Sequence, residues 1–513
     1  MRSRFIPRPT ILVVFSVLVG FLIVWIFHRA QVQSITLDEA TTYWHWVNPP
    51  HPAVWTPHSN NHLLNSLLMR VSIQALGESH LSLRLPALLG GMLYLSASAL
   101  ISLLVGQRTF GKILLFSLLV LNPFVLDYLV VARGYGLAIG FFQVCLACLV
   151  LMLSHALTLS SRQILSIAGS LAAGLSFAAN LSFAFALLFV LVGTFLVQIN
   201  FKSPRLQHTL KTALFTFVPG GLLVLLLCGS VLRDYQREQL FWGANSFRDL
   251  FVDLFDASFA LLNQDFVPNV IIAPLSAVRG YFPLALLALV LLSCSQLPKF
   301  FISKEPQVSN WRSQAIVLLL MVLAATLNAH ALQFIWLGTP LPYERTALFL
   351  IPLLTIFIFL LLDLPQSEAV RTRLLQVCGY ALLVYSAIYY LGCMRDNYFR
   401  EWSINADIHP MFTRLEQECR IRSCFTIYSH PNYSGSLRFY RKLYSTGDPK
   451  QVVDTESLQG NGGIHVLPAD QHKEALESGR LKLLQRGALS DYSILLEVPR
   501  NPNTSDSPGA GLQ

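Results

Sequence analysis

Asp38 and Glu39 stand side by side in QSITLDEATTYWHWVNPP, about ten residues after an uncharged apolar run from Thr10 to His28. Adjacent carboxylates so close to a membrane-length segment are costly unless they are solvated or used. Apolar surroundings push such a carboxyl up in pKa and make it a better proton acceptor, so Asp38 could serve as a general base toward a hydroxyl group. A purely structural role competes with this one. Thr36 or Asp38 could cap a helix over ATTYWHWV, with the acids favoured in its first turn by the helix dipole. Glu39 fits a structural partner better than a second base. Two cations stand out in the same way, Arg133 in LVVARGYGL and Arg345 in YERTALFLIPLL. A guanidinium near lipid stays charged and can clamp phosphate oxygens in two places, although an arginine at a span end can also simply reach the headgroups.

Four histidines, His45, His51, His58 and His62, fall within one stretch, but their irregular spacing and proline-rich context argue against a zinc site. His62 with Asn61 suits hydrogen bonding to a sugar or to loop backbone. His330 and Asn328 lie within an apolar run and are expected to face the protein interior. Cys419 and Cys424 are close enough in sequence for a local disulfide if their compartment is oxidising.

These residues are carried by a membrane protein. The chain has 513 residues, 54% of them hydrophobic and only 13% charged, against about a quarter charged in soluble domains. The net charge of +9 is unevenly placed. From Arg395 onward 14 basic and 14 acidic residues balance, while the first 394 residues hold 23 basic and 14 acidic ones. No basic patch of the nucleic-acid-binding kind is present in the tail, and nucleic acid is not an expected partner.

Runs free of Asp, Glu, Lys and Arg long enough to cross a bilayer recur along residues 10–394. The run from Gln163 to Phe201 has 39 residues, about 58 Å as a helix and twice the hydrocarbon core, so it must fold back, best near Ala179-Asn180. That gives eleven spans, with the ends on opposite sides. With the N-terminus in the cytoplasm, the cytoplasmic segments carry 14 basic and 3 acidic residues, as the positive-inside rule requires. The N-terminal run reads as a span rather than a signal peptide, because no small-residue cleavage site follows it.

Two long outer loops, residues 29–81 and 233–268, are amphipathic and aromatic, and the function is expected on their face. Residues 395–500 read as a small extracytoplasmic α/β domain: helices over 407–420, 434–444 and 471–479, and strands over 424–430, 451–454, 463–469 and 492–499. Residues 501–513 read as a disordered tail.

The order of features resembles the GT-C class of integral-membrane glycosyltransferases, and within it the family-39-like enzymes related to protein O-mannosyltransferases and lipid A aminoarabinose transferases. A first span is followed by Asp38-Glu39, then by a histidine-containing stretch opening an amphipathic helix. The stretch from Gly77 to Gly90, GESHLSLRLPALLG, then matches the family's G-x-S-x-x-S-x-R-L-P-(A/S)-x-L-x-G approach to the second span. Ala132-Arg133-Gly134-Tyr135 is similar to the family's Ala-Arg-x-Tyr segment, and Tyr343-Glu344-Arg345 to the segment that in the family faces the lipid phosphate. The chain departs from many relatives in having Asn60-Asn61-His62 for His-Pro-Pro, and Val131 where they carry a Glu. Asp127, one turn earlier, is the substitute for that second acid.

The resemblance covers about residues 10–400. It implies an α-helical polytopic GT-C fold over 1–394 and an inverting transfer of a monosaccharide from a polyprenyl-phosphate donor to a hydroxyl of a glycan, lipid or protein outside the cytoplasm, in the cell's inner membrane. The implied catalytic acids are Asp38, Glu39 and Asp127, and the implied substrate-binding residues are Asn61, His62, Arg133, Tyr135, Tyr343 and Arg345. No cofactor is called for, and a divalent metal is compatible with the chemistry. A transporter or flippase of lipid-linked sugars is the alternative, but no internal repeat is evident and the acids gather at the outer surface. A non-catalytic scaffold would have no use for this set of acids and arginines.

Overall fold

The computed structural model describes residues 9–199, 205–234, 242–260, 279–293, 311–363, 370–423, 426–445, 447–456, 458 and 463–498. Five described helices are long and apolar enough to cross a membrane: Pro9–Val32, His80–Val105, Tyr135–Ser154, Leu206–Arg233 and Trp311–Leu337. The chain is therefore a polytopic helical membrane protein. Helices at the remaining expected spans are shorter, less apolar or only partly described. Large apolar side chains such as Val17, Phe21, Leu225 and Leu226 are exposed on the first and the Leu206–Arg233 helices, as lipid-facing surfaces require.

Two asparagines shape the bundle. The 39-residue run turns where its length demands. Helix Leu159–Ala179 ends at Asn180, whose extended backbone and side-chain oxygen, 2.9 Å from the Ser182 amide, start the next segment before helix Ala184–Leu196. The expected third span over 113–126 is instead two helices, Thr109–Val120 and Pro123–Tyr128. Asn122 breaks it by accepting the Phe124 and Val125 amides at 3.0 and 3.3 Å, and Pro123 fits the first helical position because it has no N–H to satisfy.

The chain divides into two compact units. The first comprises residues 1–30, 49–77 and 81–395; the second comprises 31–48, 78–80 and 396–513. In the first unit, helices His80–Val105 and Tyr135–Ser154 cross at a glycine contact. A Cβ on Gly90 would sit 2.3 Å from the Gly136 carbonyl oxygen, and one on Gly140 would sit 2.2 Å from that of Gly90. Small residues are what allow helix backbones to approach so closely in lipid. The same unit contains a buried ion triad. Asp127 is held by Arg29 at 2.7 Å and by Arg395 at 3.3 Å, joining the ends of the first and last spans to the short helix after Asn122.

The second unit is built on a five-stranded sheet. Its strands are β1 (Ile427–Ser429), β2 (Val452–Asp454), β3 (Ile464–Pro468), β4 (Leu481–Arg486) and β5 (Tyr492–Glu497), in the order β2-β1-β3-β5-β4. The first three are parallel, and β5 runs antiparallel to both β3 and β4. Helices Ile408–Ile421, Pro431–Tyr444 and Lys473–Glu477 fall where the sequence pattern puts them. Strand β4 is absent from that pattern, because LKLLQR is a half-exposed edge strand without the alternation of a buried face. Cys424 and the tail 501–513 lie outside the described residues.

The glycine crossing gives a direct test. Gly140→Leu is expected to lower the thermal unfolding temperature of the detergent-purified protein by several degrees, whereas Gly221→Leu, at a position with nothing within 4 Å, is expected to leave it within about 2 °C.

Candidate functional site

Three loops of the first unit converge around the segment Asn60-Asn61-His62. Asn61 is fully engaged: its Nδ2 donates to the Val54 and Thr56 carbonyls at 2.8 and 2.9 Å, and its Oδ1 accepts from Ser66 Oγ at 2.9 Å. It holds the loop in shape rather than offering groups to a ligand. His62 follows as the residue before helix Leu63–Leu76, and its carbonyl takes the first helical hydrogen bond from Ser66. The His62 ring meets Tyr135 edge-on at 5.1 Å. Gly134 makes this approach feasible, since a Cβ there would lie 2.6 Å from His62 Cβ and 2.0 Å from the Ala179 carbonyl oxygen. The third residue of Ala-Arg-x-Tyr is therefore a packing requirement.

These loops line a cavity of about 280 Å³, close to the lower end of the ~300–1,000 Å³ of small-molecule sites. Asn60, His62, Tyr135, Asn180, Trp242 and Arg345 are among its walls. Burial, and the positive charges of Arg133 and Arg345, lower the His62 pKa well below its ordinary value, so the ring is neutral at neutral pH. His62 Nε2 and Asn180 Nδ2 are buried and make no hydrogen bond among the described residues. Among the described residues, the cavity wall thus combines one guanidinium with uncharged polar groups that have bonding capacity to spare.

Arg345 is set by the turn that carries it. Residues Glu344–Ala347 form one 3-10 turn behind Tyr343, and Glu344 has φ +46°, a left-handed conformation that costs a non-glycine residue about 1–3 kcal/mol. Asp253 offsets that strain by accepting the Glu344 amide at 2.7 Å. Asp253 belongs to helix Phe247–Phe255. The segment preceding this helix is tied to the same turn a second time, by paired backbone hydrogen bonds between Ala244 and Leu341 at 2.8 and 2.9 Å.

Several expected binding residues stand elsewhere. Arg133 does not line the cavity; it is buried behind Asn60, with 3.5 and 3.4 Å contacts to the Asn60 carbonyl and side-chain oxygens. Tyr343 is likewise outside the lining and packs its ring against Trp242 at 6.1 Å. Asp127, taken from sequence as a second catalytic acid, has its two carboxylate oxygens paired with Arg29 and Arg395, outside the cavity lining. His330 reaches the cavity wall, but Asn328 is exposed and bonds back to Ala324 of its own helix at 2.7 Å. Trp242 and Asn180 were missed as site residues, although the aromatic FWGAN segment and the forced turn at Asn180 were both visible.

Asp38 and Glu39 belong to the second unit. Thr36 caps helix Leu37–Thr42 and forms a reciprocal capping box with Glu39, at 3.1 Å from Thr36 Oγ1 to the Glu39 amide and 2.9 Å from Glu39 Oε2 to the Thr36 amide. Glu39 Oε2 thus serves the helix start. Asp38 is half-buried, one residue into the same turn. Among the described residues no group of three or more His, Cys, Asp or Glu could hold a metal ion.

No family model and no curated protein matches the chain. Among solved structures it is similar to ArnT from Cupriavidus metallidurans in the apo state, at 14% identity, and to the same protein bound to undecaprenyl phosphate, at 13%. Both alignments cover 94% of this chain and 97% of the other, with a TM-score of 0.46. Neither figure is high enough to assign an activity, so the function rests on this chain's own residues.

The fate of Asp127 is measurable. Asp127→Asn is expected to destabilise the protein by about 3–5 kcal/mol, because it leaves two buried guanidinium groups short of their counter-charge. Asp38→Asn is expected to leave the unfolding midpoint in detergent unchanged.

Proposed function

We propose that the chain is an inverting GT-C-type glycosyltransferase of the inner membrane, with its N-terminus in the cytoplasm and its C-terminal domain outside. It takes a monosaccharide from a polyprenyl-phosphate donor and passes it to a hydroxyl of a glycan, lipid or protein. The observation that carries this reading is the cavity in which Arg345 is the charged wall residue and His62 is neutral. A guanidinium beside uncharged hydrogen-bonding groups suits a phosphate linked to a sugar: the guanidinium takes the phosphate, and His62, Asn180 and Asn60 take hydroxyl groups. The GESHLSLRLPALLG and ARGY motifs support it independently.

In the proposed reaction the acceptor oxygen attacks the anomeric carbon while the bond from that carbon to the phosphate oxygen breaks. The acceptor's proton passes to the Asp38 carboxylate, and the electron pair leaves with the polyprenyl phosphate, whose added charge Arg345 stabilises. Asp38 enters this scheme through the Asp-Glu motif of the resemblance. One displacement inverts the anomeric centre and needs no covalent enzyme intermediate.

Two substitutions separate the roles. Asp38→Asn is expected to lower turnover at least a hundredfold while leaving the binding of polyprenyl phosphate in mixed micelles within twofold. Arg345→Ala is expected to weaken that binding about tenfold or more. Normal transfer by Asp38→Asn would remove the base, and unchanged affinity in Arg345→Ala would remove the phosphate site.

A further inference from the structure

The segment bearing Asp38 is bound into the C-terminal domain by residues some 400 positions away. Tyr440, fully buried on helix Pro431–Tyr444, accepts the Ile35 amide at 2.7 Å, and Ser436 of the same helix donates to the Ile35 carbonyl at 2.9 Å. Asn405 accepts the Leu37 amide at 2.8 Å and anchors itself by donating to the Asn432 carbonyl at 2.9 Å. The first amides of a helix have no partner within it, so Asn405 satisfies a group that would otherwise be left open beside Asp38. At the far end of the segment Lys442 donates to Tyr43 Oη at 2.6 Å and to Asn48 Oδ1 at 2.9 Å, and pairs with Glu78 at 2.5 Å.

The backbone just before Asp38, and the Tyr43 and Asn48 side chains after it, are thus held by side chains of the C-terminal domain, within one compact unit. We infer that this domain is a positioning element for the reaction: Tyr440 and Asn405, through the Ile35 and Leu37 amides, set the direction of the Asp38 carboxylate. The inference rests on the reading of Asp38 as the base. It gives the domain a role in the chemical step, where a soluble appendage would otherwise serve only acceptor binding or stability. Misplacement of a catalytic group by about 1 Å can cost on the order of a hundredfold in rate, so loss of one of these hydrogen bonds acts on turnover more than on binding.

The test uses the full-length purified protein in mixed micelles with a lipid extract of the host envelope, reading released polyprenyl phosphate by mass spectrometry. Tyr440→Phe and Asn405→Ala are expected to lower kcat about ten- to a hundredfold, with the KM for lipid-linked donor and the unfolding temperature little changed. Asn405→Asp, which keeps an acceptor oxygen for the Leu37 amide but loses the donor to the Asn432 carbonyl, is expected to recover part of the rate. Full kcat in both variants, with Asp38→Asn inactive, would overturn the positioning role and leave the base in place. Equal losses in kcat, donor KM and unfolding temperature would also overturn it, by reducing the contacts to structural support. An active Asp38→Asn would remove the base and the positioning role together.

Discussion

A permanent positive charge beside lipid-facing helices is tolerated only where something compensates it, and the first unit is organised around that constraint at Arg345. The turn that carries it adopts a left-handed residue at Glu344, a conformation held by Asp253. The His62 ring of the cavity wall stays uncharged, because it is too deeply buried and too close to positive charge to take up a proton. A protonated imidazole there would add a second cation and blur the distinction between phosphate and hydroxyl recognition. Burial at His62 and strain at Glu344 serve the same end, a well-placed guanidinium beside a neutral imidazole.

The second constraint is the division of labour between the two units. The loop of residues 29–81, which reads as a single connector, is split between them. His62 and its neighbours pack with the membrane helices, while the Asp38 segment joins the C-terminal sheet domain through Tyr440, Asn405 and Lys442. Asp127 and Glu39, the other two acids, are each consumed locally, one by arginines and one by a helix cap. Of the three acids in the motif set, Asp38 is the one proposed here for proton transfer.

Much of this was legible in the sequence wherever one physical rule dominated. The 39-residue apolar run had to turn, and Asn180 is where it does. The alternating pattern of the tail gave its helices and four of its strands, because those elements bury one face. What escaped was decided by partners far away in the chain. Asn61 looks like a ligand residue but is saturated by Val54, Thr56 and Ser66, and no local pattern announces that. Asn122 splits a span that hydropathy reads as continuous, since a single capping side chain outweighs the average of its neighbours. The acids of helix Phe247–Phe255 look solvated, yet Asp253 holds the Arg345 turn.

The central claim is that the chain cleaves the sugar–phosphate bond of a lipid-linked donor instead of moving that lipid across the membrane. Its most direct test is reconstitution of the purified protein into liposomes containing envelope lipid extract, following both polyprenyl phosphate release and the leaflet distribution of intact lipid-linked sugar. The account predicts that free polyprenyl phosphate accumulates with one monosaccharide gained by an acceptor lipid or glycan of the extract. Redistribution of intact lipid-linked sugar between leaflets, with no polyprenyl phosphate released, would contradict it.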